Sequence, residues 1–350
     1  MGHCLVMRIS LLVLTAALML SAGRSASALM VLQPGEPDFG DPTINTTDPA
    51  AVYSDFTFWG NAFSSEVYLG NGIFLETQHR GDKPSFTIDG TTFDRVETLG
   101  LETKGGTSVN SDLALFRVEN LSGSGPVLPN LPTVSPIETP IQPGEFLIMI
   151  GSGDRRAQDP TFYSITDVED IDGQPNAYNN DNWMEVANEA NADAKAFEPV
   201  GGGSEKRWGT NTAATGPFSQ PGIGQRTRVF ATEFSLNNAT PYEAQGASAD
   251  SGGPVFVQRN GRWELAGIMH AVWNLDGATN VYPGNRAIGV YDYSGPGELS
   301  FEGQTGGLTF VTNLASYQSQ MRDFGVTYLD VPPPPVPEPA SALVVLAGML

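Results

Sequence analysis

The run Gly246-Ala247-Ser248-Ala249-Asp250-Ser251-Gly252-Gly253-Pro254-Val255-Phe256-Val257 constrains this chain more than any other stretch. It sets a serine between an acid and two glycines, then a proline, then an apolar run that reads as a buried strand. A serine hydroxyl attacks a carbonyl only when a base removes its proton and backbone N–H groups receive the oxyanion, so the flanking backbone must bend sharply. Gly252 and Gly253 permit that bend. The strand that follows does not suit the strand-to-helix elbow of an α/β-hydrolase, whose triad runs Ser, acid, His. His270 lies only 19 positions after Ser251, too few for an intervening acid and the usual βα units. The base must therefore be sought upstream, where the remaining histidines are His3 and His79.

The Asp250-Ser251-Gly252-Gly253-Pro254 core with its Val-Phe-Val strand resembles the nucleophile loop of the chymotrypsin-like (trypsin-fold) serine peptidases, here in a bacterial version. Two upstream segments resemble the same family. Val67 to His79 reads as an apolar strand, broken by a glycine, that closes on an imidazole. Asp112-Leu113-Ala114-Leu115-Phe116-Arg117-Val118 opens a half-buried strand with an acid at its mouth. The order His79, Asp112, Ser251 is the family's order. The resemblance implies that His79 is the general base, Asp112 its orienting carboxylate and Ser251 the nucleophile, with the backbone N–H groups of Ala249 and Ser251 as oxyanion hole. It also implies a substrate pocket with Gln245 near its floor and His270, Ala271 and Val272 on the wall formed by the Trp263 to Val272 strand.

The fold that follows is all-β: two antiparallel six-stranded β-barrels, about 51–120 and 144–325, joined by a proline-rich crossing over 121–143 and closed by a short C-terminal helix in the Phe310 to Met321 region. The substrate implied is a polypeptide, cleaved as a secreted endopeptidase would. Gln245 is not the acid that selects Lys or Arg, so no strict tryptic preference is expected. The chain departs from the family at Thr77 and Gln78, where small residues are usual, and at Ala249, where glycine is usual. These departures keep open an alternative, a catalytically inactive homologue serving as a cell-surface or matrix binding module. No Arg-[Ile/Val]-Val-Gly-Gly activation site exists, so no zymogen cleavage is expected, and Asp250 must tie its own loop or find another partner.

Residues 1–28 carry Arg8, the apolar run Ile9 to Leu20 and Ala26-Ser27-Ala28, the pattern of a secretory signal peptide cleaved before Leu29. The only cysteine, Cys4, lies in that leader, so thiolate chemistry and disulfides are excluded from the mature chain. The formal charge is −21, from 18 basic and 39 acidic side chains, and removal of Arg8 and Arg24 with the leader deepens it to −23. Such a chain repels nucleic acid and anionic lipid. With 40 glycines and 26 prolines in 350 residues it has the turn content of a β-rich protein and the length for a sizeable core.

Residues 29–50 read as a mobile N-terminal lead and 51–325 as the peptidase domain, with a polar insertion over 154–207 and a helix expected from Asn182 to Ala196. The acidic cluster Asp167, Glu169, Asp170 and Asp172 has Val168 where a calcium loop of EF-hand type would need an oxygen ligand, so a solvated loop is expected there. No metal or other cofactor is expected. A proline-rich linker covers 326–339, with a polyproline spacer at Pro332 to Pro335. Val336-Pro337-Glu338-Pro339-Ala340-Ser341, opening the 336–350 segment, resembles a PEP-CTERM sorting signal, which implies an exosortase-type partner and export to the periplasm, cell surface or extracellular space. Only 11 residues follow Pro339, against the ~20 that span a bilayer, and no Lys or Arg is among them, so the expectation is a truncated or degenerate signal with at most transient membrane attachment.

Overall fold

The computed structural model describes residues 29–329 apart from 37–38, 82, 89, 104–108, 120–127, 129, 167–181, 201–204, 223–224, 238, 274–288 and 294–306. The leader, the acidic cluster from Asp167, and the tail from residue 330 onward lie outside the described residues.

Two antiparallel sheets carry the architecture. The first is built from β1 (Glu66–Gly70), β2 (Ile73–Thr77), β3 (Ser85–Ile88), β4 (Thr91–Thr103) and β5 (Val109–Glu119), in the spatial order β1-β2-β5-β4-β3. The second comprises β6 (Phe146–Gly151), β7 (Arg207–Thr212), β8 (Phe218–Gly222), β9 (Gln225–Phe234), β10 (Pro254–Arg259), β11 (Arg262–Trp273) and β12 (Gly307–Thr312), ordered β7-β6-β10-β11-β12-β9-β8. The two sheets are chymotrypsin-like half-barrels, divided as five and seven strands among the described residues where six and six were expected.

Local chemistry explains the hairpins. Asn71 and Gly72 join β1 to β2 with φ of 53° and 74°, and Asn260 and Gly261 join β10 to β11 with φ of 51° and 71°. Asn-Gly is the pair that tolerates two successive positive φ values in a type I′ turn. The segment from Val67 to His79 is thus a hairpin and not a single strand broken at Gly70. Alternation does the rest. In β2, Ile73 and Leu75 face the main core while Phe74 turns to a second cluster with Phe86 and Phe116. The main core is continuous between the sheets, taking Leu113 and Leu115 from β5 and Leu147, Met149, Val255 and Leu265 from the second sheet. Helix α1 (Gln318–Phe324) ends at Gly325, φ 99°, and buries Met321 and Phe324. Just before it, the Tyr317 hydroxyl accepts from the Arg228 amide at 2.9 Å and pairs with Thr103 Oγ1 at 3.0 Å, linking the two sheets.

Two further expectations are corrected. Leu29–Leu32 are no loose lead. All four are buried, and Met30–Val31 pairs with Ala244–Gln245. The buried Arg156 guanidinium holds this segment by donating to the carbonyls of Val31 at 2.7 Å and Phe39 at 2.8 Å, and to that of Gly40. Between Asn182 and Ala196, two strands stand in place of the expected helix: Asn182–Val186 and Ala194–Phe197, both paired with Thr161–Thr166 in a four-stranded sheet completed by Gly289–Tyr293. Ala194 and Ala196 are buried while Lys195 between them is half-buried, a two-residue period that overrides the local helical propensity of the alanines. In the described part of the proline-rich crossing, residues 130–143, Val134, Ile137 and Ile141 are buried, and Ile137 N donates to Leu265 O at 3.0 Å.

Candidate active site

The register of the first sheet brings His79 to Asp112. Thr77 at the end of β2 faces Leu113 of β5, so Asp112 lies one step beyond the end of β2. The chain then tightens into a single 3₁₀ turn, Gln78–Arg80, closed by Gly81 at φ 79°. This turn swings His79 back over the acid. The His79 amide donates to Asp112 Oδ1 at 2.7 Å and its Nδ1 bonds Oδ2 of the same carboxylate. Gln78 does not obstruct the approach, because its side-chain amide is spent on the Leu113 carbonyl at 2.9 Å. Asp112 is 1% exposed, and its own amide donates to Thr227 Oγ1 of β9 at 3.0 Å, fixing it to the second sheet. Burial alone would raise its carboxyl, but hydrogen bonds and charge from His270 and His79 outweigh burial and hold it at about 2.

The second sheet supplies the loop between Ala244–Gln245 and β10. The glycines are required by space. A Cβ on Gly252, at φ 91°, would collide with the Ser65 carbonyl, and one on Gly253 with the Ile150 carbonyl. Gly252 N donates to Met269 O at 2.8 Å and Gly253 N to Asp250 O at 2.8 Å. Asp250 ties its own loop: Oδ2 accepts from Ala247 N at 2.7 Å and Oδ1 from Gly153 N at 2.5 Å. Full burial pushes its carboxyl up to about 7, against the lowering effect of these amides. Among the described residues, the amides of Ala249 and Ser251 donate to no acceptor. Ala249 has φ 74°, a left-handed conformation costly for a residue with a Cβ.

A cleft of about 210 Å³ joins these parts, lined by His79, by the Gly246–Ser251 loop and by Met269 to Val272 of β11. His79, Ser251, Ala249, His270, Ala271 and Val272 therefore meet at one opening. No hydrogen bond joins the Ser251 hydroxyl to His79. Gln245 does not line the cleft. It is fully buried in the ladder with Met30, its side chain against Gly307, so the pocket floor inferred from its position does not lie at its side chain.

His270, placed by sequence reasoning on the pocket wall, does more than line it. Its Nδ1 lies 2.8 Å from Asp112 Oδ2, the oxygen that also meets His79. Only the scarcity of histidines in the chain marked it in advance. The ligand atoms of His79, Asp112 and His270 fall within 4.8 Å of one another, yet their N···O separations are those of hydrogen bonds. A tetrahedral zinc would need its donors about 3.3 Å apart, so a metal could enter only by breaking both bonds.

No protein-family model matches the chain, and no curated protein sequence does. Among solved structures, a mutant of human heparin binding protein aligns over 82% of this chain and 98% of its own, with 10% identity and a TM-score of 0.40. Mouse brain neuropsin, a serine protease, aligns over 74% of this chain and 87% of its own, with 14% identity and a TM-score of 0.36. The passenger domain of the plasmid encoded toxin of enteroaggregative Escherichia coli covers 79% of this chain, which spans only 23% of that domain, with 12% identity and a TM-score of 0.32. Likenesses at these values carry no argument, and the fold rests on the strand pairing described above.

Proposed function

We propose that this chain is a serine endopeptidase acting outside the cytoplasm on polypeptide substrates. The observation that carries the reading is the Asp112 carboxylate, which holds both the amide and the ring of His79 at the edge of a cleft shared with Ser251. In the proposed reaction His79 takes the Ser251 proton as Oγ adds to the peptide carbonyl. The resulting oxyanion meets the unpaired amides of Ala249 and Ser251. His79 then returns the proton to the leaving amine, and water, activated by the same imidazole, hydrolyses the acyl-enzyme. Asp112 stays ionised throughout, as its lowered pKa requires. The Ser251 hydroxyl and His79 share the cleft without a hydrogen bond between them, and such contacts tighten on substrate binding.

The leader over 1–28 would export the chain, and the tail over 336–350 would deliver it to an exosortase-type enzyme for surface sorting. Among the described residues no helix is long and apolar enough to cross a membrane. Among the described residues lining the cleft the carboxylate is that of Asp250, and it is committed to amides, which supports cleavage without strict preference for Lys or Arg. The direct test is hydrolysis of an unfolded protein substrate by the purified chain, lost in Ser251→Ala with folding retained. A second reading, the inactive binding module, is favoured by one feature, the Cβ of Ala249 at a left-handed position in the proposed oxyanion hole. A folded parent that hydrolyses nothing would select it.

A further inference from the structure

Asp112 serves two imidazoles, and the peptidase reading uses only one. His270 Nδ1 stands 2.8 Å from Asp112 Oδ2 with its side chain 2% exposed, while His79 Nδ1 meets the same oxygen from a side chain 25% exposed. An ionised carboxylate oxygen accepts hydrogen bonds and cannot donate them, so both nitrogens must carry protons. We infer that His270 is a positioning residue: a buried, permanent Nδ1–H donor that pins the Asp112 carboxylate and shares its charge, leaving His79 as the imidazole that moves protons.

The surroundings support the division of labour. Among the described residues, the titratable groups in contact with His270 are Asp112 of β5 and His79 of the 78–80 turn. The strands flanking β11 near His270 offer no other: β12 reads Gly-Leu-Thr-Phe-Val-Thr, and Pro254 to Val257 of β10 are apolar. Asp250, in the neighbouring loop, is spent on the Ala247 and Gly153 amides. One carboxylate thus faces two imidazoles and can offset the charge of only one. The exposed ring, at the cleft, is the one water and substrate reach. A shared carboxylate stabilises the imidazolium formed during attack less than an unshared one would.

This inference rests on the peptidase reading for its catalytic meaning, so the test has one part that does not need activity. Nitrogen-15 NMR of the full chain, with His3 and His79 assigned from His→Asn variants and His270 as the remaining ring, should find the His270 proton on Nδ1, with a hydrogen-bonded resonance that is lost in Asp112→Ala. A His270 proton on Nε2 overturns the proposal without any variant at His270 having to fold. In the second part, the pH profile of fluorophosphonate labelling is compared between the parent, His270→Leu and His270→Asn. The leucine variant, lacking a donor, should show its acid limb moved to higher pH by about one unit. The asparagine variant, whose amide sits near the Nδ1 position, should keep the parental profile. Superimposable leucine and parental profiles overturn the inference. A folded parent that is never labelled overturns the peptidase reading, while the tautomer result still decides the bond to Asp112.

Discussion

Two buried aspartates flank the site, one from each half-barrel, and they are opposites. Asp112 and Asp250 are each 1% exposed, and burial pushes both carboxyls upward. Asp112, met by two imidazoles and one amide, is nonetheless held at about 2, whereas Asp250, met by backbone amides alone, sits at about 7. Surface exposure is the same, Asp250 lies the deeper of the two, and the partners differ. Imidazoles can take up positive charge and amides cannot, so only the first half-barrel keeps a full negative charge poised beside a proton carrier. The second uses its acid as a loop fastener. The comparison teaches that burial does not identify a working acid, whereas the chemistry of its donors does.

The largest effect that could break this contrast is at Asp112. Asp112→Asn leaves the shape but removes the charge, and fluorophosphonate labelling should slow on the order of 10⁴-fold, with the melting temperature at neutral pH lowered because the carboxylate's contribution to stability is lost. Equal loss in Asp250→Asn would contradict the assignment of roles. Next comes a third buried acid, Glu76, which is neutralised by Arg95 through two hydrogen bonds of 2.6 and 2.9 Å, the guanidinium lying 3.6 Å over Phe116. Arg95→Met strands that carboxylate and should cost about 3–5 kcal/mol in urea unfolding, with no change in the chemistry of the cleft. The double variant with Glu76→Met should recover most of the loss.

The pH dependence of stability sharpens the comparison further. Asp112 titrates lower in the folded chain than the ordinary 3.8, so its contribution is present above about pH 4 and is lost as pH falls toward 2. Asp250 titrates higher when folded, so its contribution is present below about pH 4 and is lost as pH rises toward 7. Melting temperatures at about pH 5 and 7.5 should therefore differ more in the parent than in Asp250→Asn, and identical differences would refute the raised carboxyl. The smallest effect is expected at Ala249. Ala249→Gly relieves a left-handed alanine worth about 1–2 kcal/mol but frees the unfolded chain by about 0.5–1, a net gain near 1 kcal/mol. Labelling should quicken by less than about tenfold, and slower labelling would show that the alanine is not the strained point.

What the sequence shows and what it hides follow one physical rule. Features set within a few residues were legible: the Asp250 to Gly253 loop and the alternation of β5 behind Asp112; the pairing of His79 with that acid, 33 positions on, was reached only through resemblance of the chain order to a known family. The Asn-Gly pairs at 71–72 and 260–261 carry an equally local signal, which a reading of Val67 to His79 as one strand passes over. Contacts across long stretches of chain were not legible. The approach of His270 to Asp112 joins residues 158 positions apart, and the Arg156 clamp on Val31 spans 125. No local pattern records either distance. The helix expected over 182–196 failed for the same reason, because pairing with Thr161–Thr166 decided the conformation.

The central claim is that Asp112 and His79 activate Ser251. Its most direct test is labelling of the purified chain by a fluorophosphonate, with the modified residue located by mass spectrometry, beside Ser251→Ala and His79→Ala. The account predicts a parent labelled at Ser251 and two variants unlabelled. A folded parent left unlabelled, or a His79→Ala variant labelled as fast as the parent, would contradict it.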